Sequence, residues 1–325
     1  MRHQAVRLSR ICVGRCRRQG DRPAGEMGGR SQRAFLADTQ GRDNITHGAS
    51  ALDAKGRFLA LDVDLIADMG AYLSTYAPYI PYVGAPMLPG VYDIPICFIR
   101  VRAAYTNTVP VDAYRGAGRP EASYVIERLV DNAARELGLA ADSLRRKNFI
   151  KPKQMPYKTP TGKIYDTGEF AGHLARAQDM ADWDGFRKRA AAAKRKGKLR
   201  GIGIASYIEA CGANGPETAN LKLEKDGTVT LAIGTQSTGQ GHATSYAQIV
   251  ADHLGISPDR FRMIQGDTDR IATGEGTGGS SSIPAGGASV SLAAKKLADN
   301  LKEIAADALE ASPGDLEFDD GTVRV

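Results

Sequence analysis

Two glycine-rich strings constrain this chain more than any other feature. Thr238, Gly239, Gln240, Gly241 and His242 follow a strand-like run and open a helical one. Thr277, Gly278, Gly279, Ser280, Ser281 and Ser282 stand ahead of a second helical run. Small residues let backbone N–H groups come close to a ligand, and a helix N-terminus favours an anion. Both strings are therefore candidate cradles for phosphate or pyrophosphate, although such loops also serve as plain connections. Neither is a Walker loop, because no Gly-Lys-Ser/Thr occurs there. Neither has the G-x-G-x-x-G spacing of a dinucleotide-binding turn.

The rest of the chain reads as an α+β protein. Its 325 residues suggest two domains at roughly 150 residues each. Hydrophobic residues make up 42% and charged residues 25%, which argues against a disordered chain. No apolar run approaches the ~20 residues of a membrane span. Residues 49–77 read as strands, because Leu59, Leu61, Val63 and Leu65 alternate with Ala60, Asp62 and Asp64. Residues 78–95 hold five prolines and read as an irregular loop, and 96–105 as another strand. Val125, Ile126, Leu129, Val130, Ala133 and Leu137 predict a helix over 123–137, closed by Gly138. A short helix is expected at 142–148. Residues 174–198 read as one helix, basic at its end, and as a solvated connection between domains. Beyond it, 201–208, 219–225, 229–233 and 261–265 predict strands, with a hairpin turn at Asp226–Gly227. Residues 243–254 and 286–310 predict helices.

The net charge of +6 sits in one place. Residues 1–33 carry nine of the 43 basic residues, all Arg, against only Asp21 and Glu26. The remainder holds 34 basic and 35 acidic groups and is close to neutral. Total charge is therefore no argument for nucleic-acid binding. Cys12, Cys16, Cys97 and Cys211 form neither a disulfide framework nor a cluster pattern, and the five His show no paired ligand spacing. A protein-ligated metal is not expected, and a reducing cytoplasm is the default compartment. The leader lacks the apolar core of a secretory signal, which leaves a transit peptide or a basic arm open.

A third segment runs from Asp112 to Glu121, between a strand and a helix. Arg115 and Arg119 flank a turn of Gly116, Ala117 and Gly118. Arg presents a planar fork of donors suited to phosphate or oxo groups, and it also pairs with surface carboxylates.

The run Asn107–Ala122 resembles the active-site loop of the molybdenum hydroxylase large subunits, a family that includes xanthine dehydrogenase, aldehyde oxidase and aerobic carbon monoxide dehydrogenase. Similar strings follow in the family's order: Glu127–Asp131, Leu144–Phe149, Gly239–His242, Gln248–Asp252, Gly266–Asp269 and Gly278–Ser280. The resemblance covers about residues 34–325 and is nearest to the carbon monoxide dehydrogenase type. It implies parts of two molybdenum-cofactor-binding domains, at 34–172 and 201–325, with 173–200 as the basic helix and linker. It implies molybdopterin with molybdenum, as the cytosine dinucleotide in bacterial members. Gln240 and Gly241 would contact the pterin and the molybdenum ligands. Thr277, Gly278, Gly279, Ser280 and Ser282 would hold pterin or phosphate groups, and Arg115 would lie near the molybdenum. Tyr114, Gly116 and Ala117 would line the substrate pocket. The parent reaction would oxidise an aldehyde, a heterocycle or a CO-like substrate with water-derived oxygen. The implied partners are a FAD-binding medium subunit and a 2Fe-2S small subunit, in a cytoplasmic dimer of heterotrimers with no nucleic acid and no membrane span.

Three departures from the pattern matter. Where the CO oxidisers carry a copper-binding Cys after the loop's Arg, this chain has Gly116, so no copper is expected. The family's catalytic Glu falls beyond Val325, so no catalytic residue is assigned, and the upstream half of the family pattern is missing. The 325 residues thus read as an internal fragment, and the rival expectation is a truncated, inactive product that binds no cofactor.

The leader itself reads as a shifted frame. The family carries a Gly-Arg-Pro-Val-Lys-Trp and Asp-Arg-Ser stretch just before the match begins. Moved by one base, Met27 and Gly28 must read Trp, and Glu26 must read Lys or Arg. Ala24 and Gly25 can then read Pro and Val. Upstream DNA read in that register is expected to encode the missing family segments, and stop codons scattered through it would refute the shift.

Overall fold

The computed structural model describes residue 32 and residues 38–325, apart from 213, 214, 216 and 320. The Arg-rich run 1–31, with Cys12 and Cys16, lies outside the described residues. The chain forms two compact units, Met1–Ile204 and Ala205–Val325.

In the first unit a sheet runs in the order β1 (Asn44–Leu52), β2 (Phe58–Asp68), β3 (Ile96–Ala104). β1 and β2 are antiparallel; β2 and β3 are parallel. The period of two in β2 buries Leu61, Val63, Leu65 and Ala67 on one face and turns Asp62 and Asp64 to the other. Residues 69–77, expected as strand, are not. Asp68 ends β2 by accepting the Gly70 N–H at 2.8 Å and the hydroxyls of Thr106 and Thr108 at 2.7 and 2.8 Å. The proline-rich stretch is more regular than expected. Tyr79–Gly84 is a short helix, α1, followed by a 3-10 turn at Ala85–Met87. Pro78 caps it and Pro81 lies in its first turn, where a missing N–H goes unnoticed.

α2 spans Arg119–Glu136 and so begins four residues before the expected start. Pro120 in its first turn has φ preset for a helix, and Gly118, left-handed at φ +91°, turns the chain into it. Gly48 of β1 lets α2 approach: a Cβ there would stand 3.1 Å from Leu129 Cδ1. α3 (Ala141–Asn148) is tied to the β1–β2 turn by Asn148. Its Oδ1 accepts the Phe58 N–H at 2.9 Å, and its Nδ2 donates to Gly56 O at 2.8 Å. Arg145, also on α3, is fully buried and donates to Glu127 and Asp131 of α2. After the small hairpin of β4 (Tyr157–Lys158) and β5 (Ile164–Tyr165), the expected single helix is two. α4 spans Phe170–Met180 and α5 spans Phe186–Arg195. Asp182, left-handed at φ 45°, breaks the run, and its carboxylate accepts the Gly185 N–H at 3.2 Å.

The second unit has a sheet of β6 (Ala219–Leu223), β7 (Val229–Ile233) and β8 (Phe261–Ile264), antiparallel then parallel. Residues 201–208 form no strand; Ile202 and Ile204 alternate with small residues, but the run joins none of the described sheets. α6 (His242–Leu254) and α7 (Ala288–Leu309) pack on the sheet. A π-helical turn, Ser282–Gly287, leads into α7, so helical structure begins four residues before the start expected at 286. Val229, Leu231 and Ile233 meet Tyr246, Val250, Leu254, Val290 and Ala294 in a continuous core. A short hairpin, β9 (Glu317–Asp319) with β10 (Thr322–Arg324), follows. No described helix is long and apolar enough to cross a membrane.

Candidate cofactor-binding site

The two glycine strings meet at the end of β7. A Cβ on Gly234, directly after the strand, would lie 2.2 Å from Gly274 Cα, so the second loop crosses backbone to backbone over the strand end. Thr277 then ties the loops together. Its Oγ1 donates to Gln236 O at 2.6 Å, accepts the Gln236 N–H at 2.9 Å, and lies 3.2 Å from Ser282 Oγ. Gln265, just after β8, is a second strut. Its Oε1 accepts the Ser237 N–H at 3.1 Å, and its Nε2 donates to Thr235 Oγ1 at 2.8 Å. Tyr246, one turn into α6, donates its hydroxyl to Ser282 O at 2.8 Å.

Within this frame the backbone takes shapes that favour glycine. Gly239 and Gly241 are left-handed at φ +95° and +80°. Gly279 and Ser280 follow each other at φ +56° and +53°. Gln240 is exposed at the tip of the first loop, with its amide folded back on Thr238 and Gln236. Ser280 is exposed and its hydroxyl reaches Glu209 Oε1 at 3.4 Å, while Ser282 is buried. No side chain caps α6 or α7. The arrangement offers backbone N–H groups, small hydroxyls and an uncapped helix start to an oxygen-rich ligand. Among the described residues no group of three or more His, Cys, Asp or Glu could hold a bare metal ion.

One residue of this site was not singled out from sequence. His242 is only 2% exposed, and its Nε2 is buried with no hydrogen-bond partner among the described residues. Nδ1 lies 3.3 Å from Gln265 Nε2, and the ring packs on Tyr246. Burial holds its pKa below the ordinary imidazole value. A buried polar group left unpaired costs about 1–3 kcal/mol. The signal was present: His242, Tyr246, Val250 and Leu254 recur every four residues on the buried side of α6.

Tyr114, Arg115, Gly116 and Ala117 share a tight turn in the first unit, closed by Ala117 N–H to Tyr114 O at 2.8 Å. The Arg42 guanidinium lies over the Tyr114 ring at 5.1 Å and donates to Arg115 O. Its Nε is 3.6 Å from Glu121 Oε1. Tyr114 and Arg115 are exposed. Gly116 has φ +92°, and a Cβ there would lie 2.5 Å from Pro120 Cγ. This backbone leaves no room for a cysteine side chain at 116 unless the turn shifts.

Comparison with known proteins now settles the family. Two models, each described as a molybdopterin cofactor-binding domain, match residues 10–149 and 176–325. The carbon monoxide dehydrogenase large chain of Hydrogenophaga pseudoflava is 36% identical over 296 residues, which span 86% of this chain and 37% of that protein. The chain belongs to the molybdenum hydroxylase large-subunit family. The nicotine 6-hydroxylase large subunit of Paenarthrobacter nicotinovorans is 32% identical over 90% of this chain and 37% of its own length. Among solved structures, quinoline 2-oxidoreductase from Pseudomonas putida 86 superposes with a TM-score of 0.74 at 31% identity, covering 90% of this chain and 39% of that one. The chain thus spans little more than a third of its relatives' length. Of the positions that the hydroxylase resemblance nominated, Gln240, Gly241, Thr277, Gly278, Gly279, Ser280 and Ser282 come together in the second unit. Tyr114, Arg115, Gly116 and Ala117 come together in the first.

Proposed function

We propose that this chain contributes molybdopterin-binding loops to the large subunit of a molybdenum hydroxylase. The parent reaction is oxidation of an aldehyde or heterocycle carbon with water-derived oxygen. The cross-tied loops at the end of β7 carry this reading, because they hold an uncapped helix start, left-handed glycines and small hydroxyls at one place. The cofactor, when bound, supplies the redox chemistry. The chain's part is to hold and orient it. Gly241, Gly278 and Gly279 would let backbone N–H groups approach its oxygens. Gln240 would turn its exposed amide from its own loop to the ligand. Ser280 and Ser282 would add hydroxyl contacts. Thr277 already spends its proton on Gln236 O, so its role is to fix the loop spacing. Arg115, exposed in the turn of the first unit, would offer a positive charge to an oxo or phosphate group. We favour the cytosine dinucleotide form and no copper, the latter because of the backbone at Gly116. FAD and 2Fe-2S partner subunits in a cytoplasmic dimer of heterotrimers complete the reading.

The test is cofactor content. The chain is expressed in cells that make molybdopterin, and pterin and molybdenum per chain are measured after purification. Wild type is expected to retain both, and Gln240→Ala and Gly279→Val to lose most of each. A lost polar contact of about 1–3 kcal/mol corresponds to roughly 5- to 150-fold in affinity. Wild-type occupancy in both variants removes these loops from the site. An empty wild type supports the rival, a truncated product that binds nothing.

A further inference from the structure

His242 has a donor with nowhere to go, and the surrounding hydrogen bonds say which nitrogen carries it. The Ser237 backbone N–H can only donate, so the Gln265 oxygen must face it, at 3.1 Å. That fixes the Gln265 amide nitrogen toward Thr235 Oγ1 and toward His242 Nδ1, at 2.8 and 3.3 Å. An amide N–H facing Nδ1 requires a lone pair there. The ring proton therefore resides on Nε2. Nε2 is out of water and has no acceptor among the described residues. Buried donors are nearly always paired, and an exception calls for a missing partner.

The location narrows that partner. His242 is the first residue of the thirteen-residue α6, directly after left-handed Gly241, and no side chain caps the helix. Its ring stands between the anchors of both loops. Gln265 links it to Thr235 and Ser237 of the first loop; Tyr246, against which it packs, holds Ser282 of the second. A ligand seated on the two loops would adjoin this donor, and the helix start favours a negative oxygen.

We propose that His242 is a cofactor-binding residue whose Nε2–H donates to an oxygen acceptor of the bound molybdopterin, a phosphate or a ring carbonyl. This rests on the cofactor-binding reading above. It adds a donor held in place by Gln265 rather than by the backbone. Gln265 thereby becomes a positioning residue, since its amide selects the tautomer.

Two measurements test this. Long-range ¹H–¹⁵N NMR of the wild-type chain at neutral pH is expected to show His242 protonated on Nε2 with a bare Nδ1. A proton on Nδ1 with Nε2 bare overturns the proposal. Separately, pterin per chain is measured in protein from molybdopterin-producing cells for wild type, His242→Phe and His242→Gln. His242→Phe fills the space without the donor and is expected to lose about tenfold or more in pterin, equivalent to about 1.4 kcal/mol, with its unfolding midpoint not lowered. His242→Gln restores an N–H and is expected to recover most of the occupancy. Wild-type pterin in His242→Phe overturns the donor role while leaving the loops in place. Wild type without pterin overturns the cofactor reading itself, and this proposal with it.

Discussion

Arg145→Met is expected to destabilise the first unit by about 3–5 kcal/mol, the range found when one partner of a buried ion pair is removed. The Arg145 side chain is fully buried, and that of Glu127 is 8% exposed. Nη2 and Nε of Arg145 reach Glu127 Oε2 at 2.7 and 3.0 Å, and Nη2 also reaches Asp131 at 2.9 Å. Nη1 donates to Ala141 O at 3.1 Å, and Nη2 also lies 3.2 Å from Ile204 O. Tyr92 donates to the other oxygen of Glu127. Its pKa is driven well above the ordinary phenol value by burial and then by the Glu127 charge, so it remains a donor at any working pH. Methionine fills the space but takes the charged partner away from a carboxylate in a dry site. A loss of that size is a large part of the 5–15 kcal/mol that holds a typical domain together. The measurement is denaturant unfolding followed by the fluorescence of Trp183, the only tryptophan in the chain. Arg145→Met with Glu127→Leu should recover part of the loss, because no charge is then left buried. A single-variant cost under about 1 kcal/mol would show that the site takes in water, and the burial argument would fail.

The same residues show what could be read from the chain and what could not. Glu127–Asp131 and Leu144–Phe149 were legible as family strings, yet their charges gave no hint of burial, because Arg and Glu are ordinarily solvated. Only the packing of α3 on α2 converts them into a core network. The alternation of β2 was plain because one face of that sheet is covered, and pattern reports burial. The strand expected at 201–208 failed for the converse reason, since its alternation joins none of the described sheets. The break between α4 and α5 was missed because Asp182 in a left-handed turn leaves no mark on helical periodicity. At the site, the glycine loops were legible because few other residues take those backbone angles. The struts that join them were not: Thr277, Gln265 and Tyr246 act through contacts 11 to 41 residues away in sequence. His242 fell between the two, visible in a string but not as a buried side chain.

Gly118→Ala should be strongly damaging, and a control position separates its causes. Gly118 is left-handed at φ +91°, and a Cβ there would lie 1.9 Å from Ile80 O and 3.1 Å from Gly84 Cα. In the reverse direction, a Cβ on Gly84 would lie 2.5 Å from Gly118 O. The start of α2 and the helix α1 are thus pressed backbone to backbone, and neither side has a flexible group that can yield. Gly138 is also left-handed, at φ +65°, but nothing lies within 4 Å of its added Cβ. Gly138→Ala should therefore show the conformational cost alone, about 1–2 kcal/mol. Gly118→Ala should add an overpacking cost of about 1–3 kcal/mol, with backbone displacement because no rotamer change can relieve it. That displacement would be passed to the turn of Tyr114, Arg115, Gly116 and Ala117, which ends at Gly118. The readouts are the unfolding midpoints of the two variants and the pterin content of each. Gly138→Ala should keep its cofactor, and Gly118→Ala should lose stability and cofactor together. Equal stability losses at the two positions would mean that α1 moves freely away from the turn, and that the turn is not held by the contact described here.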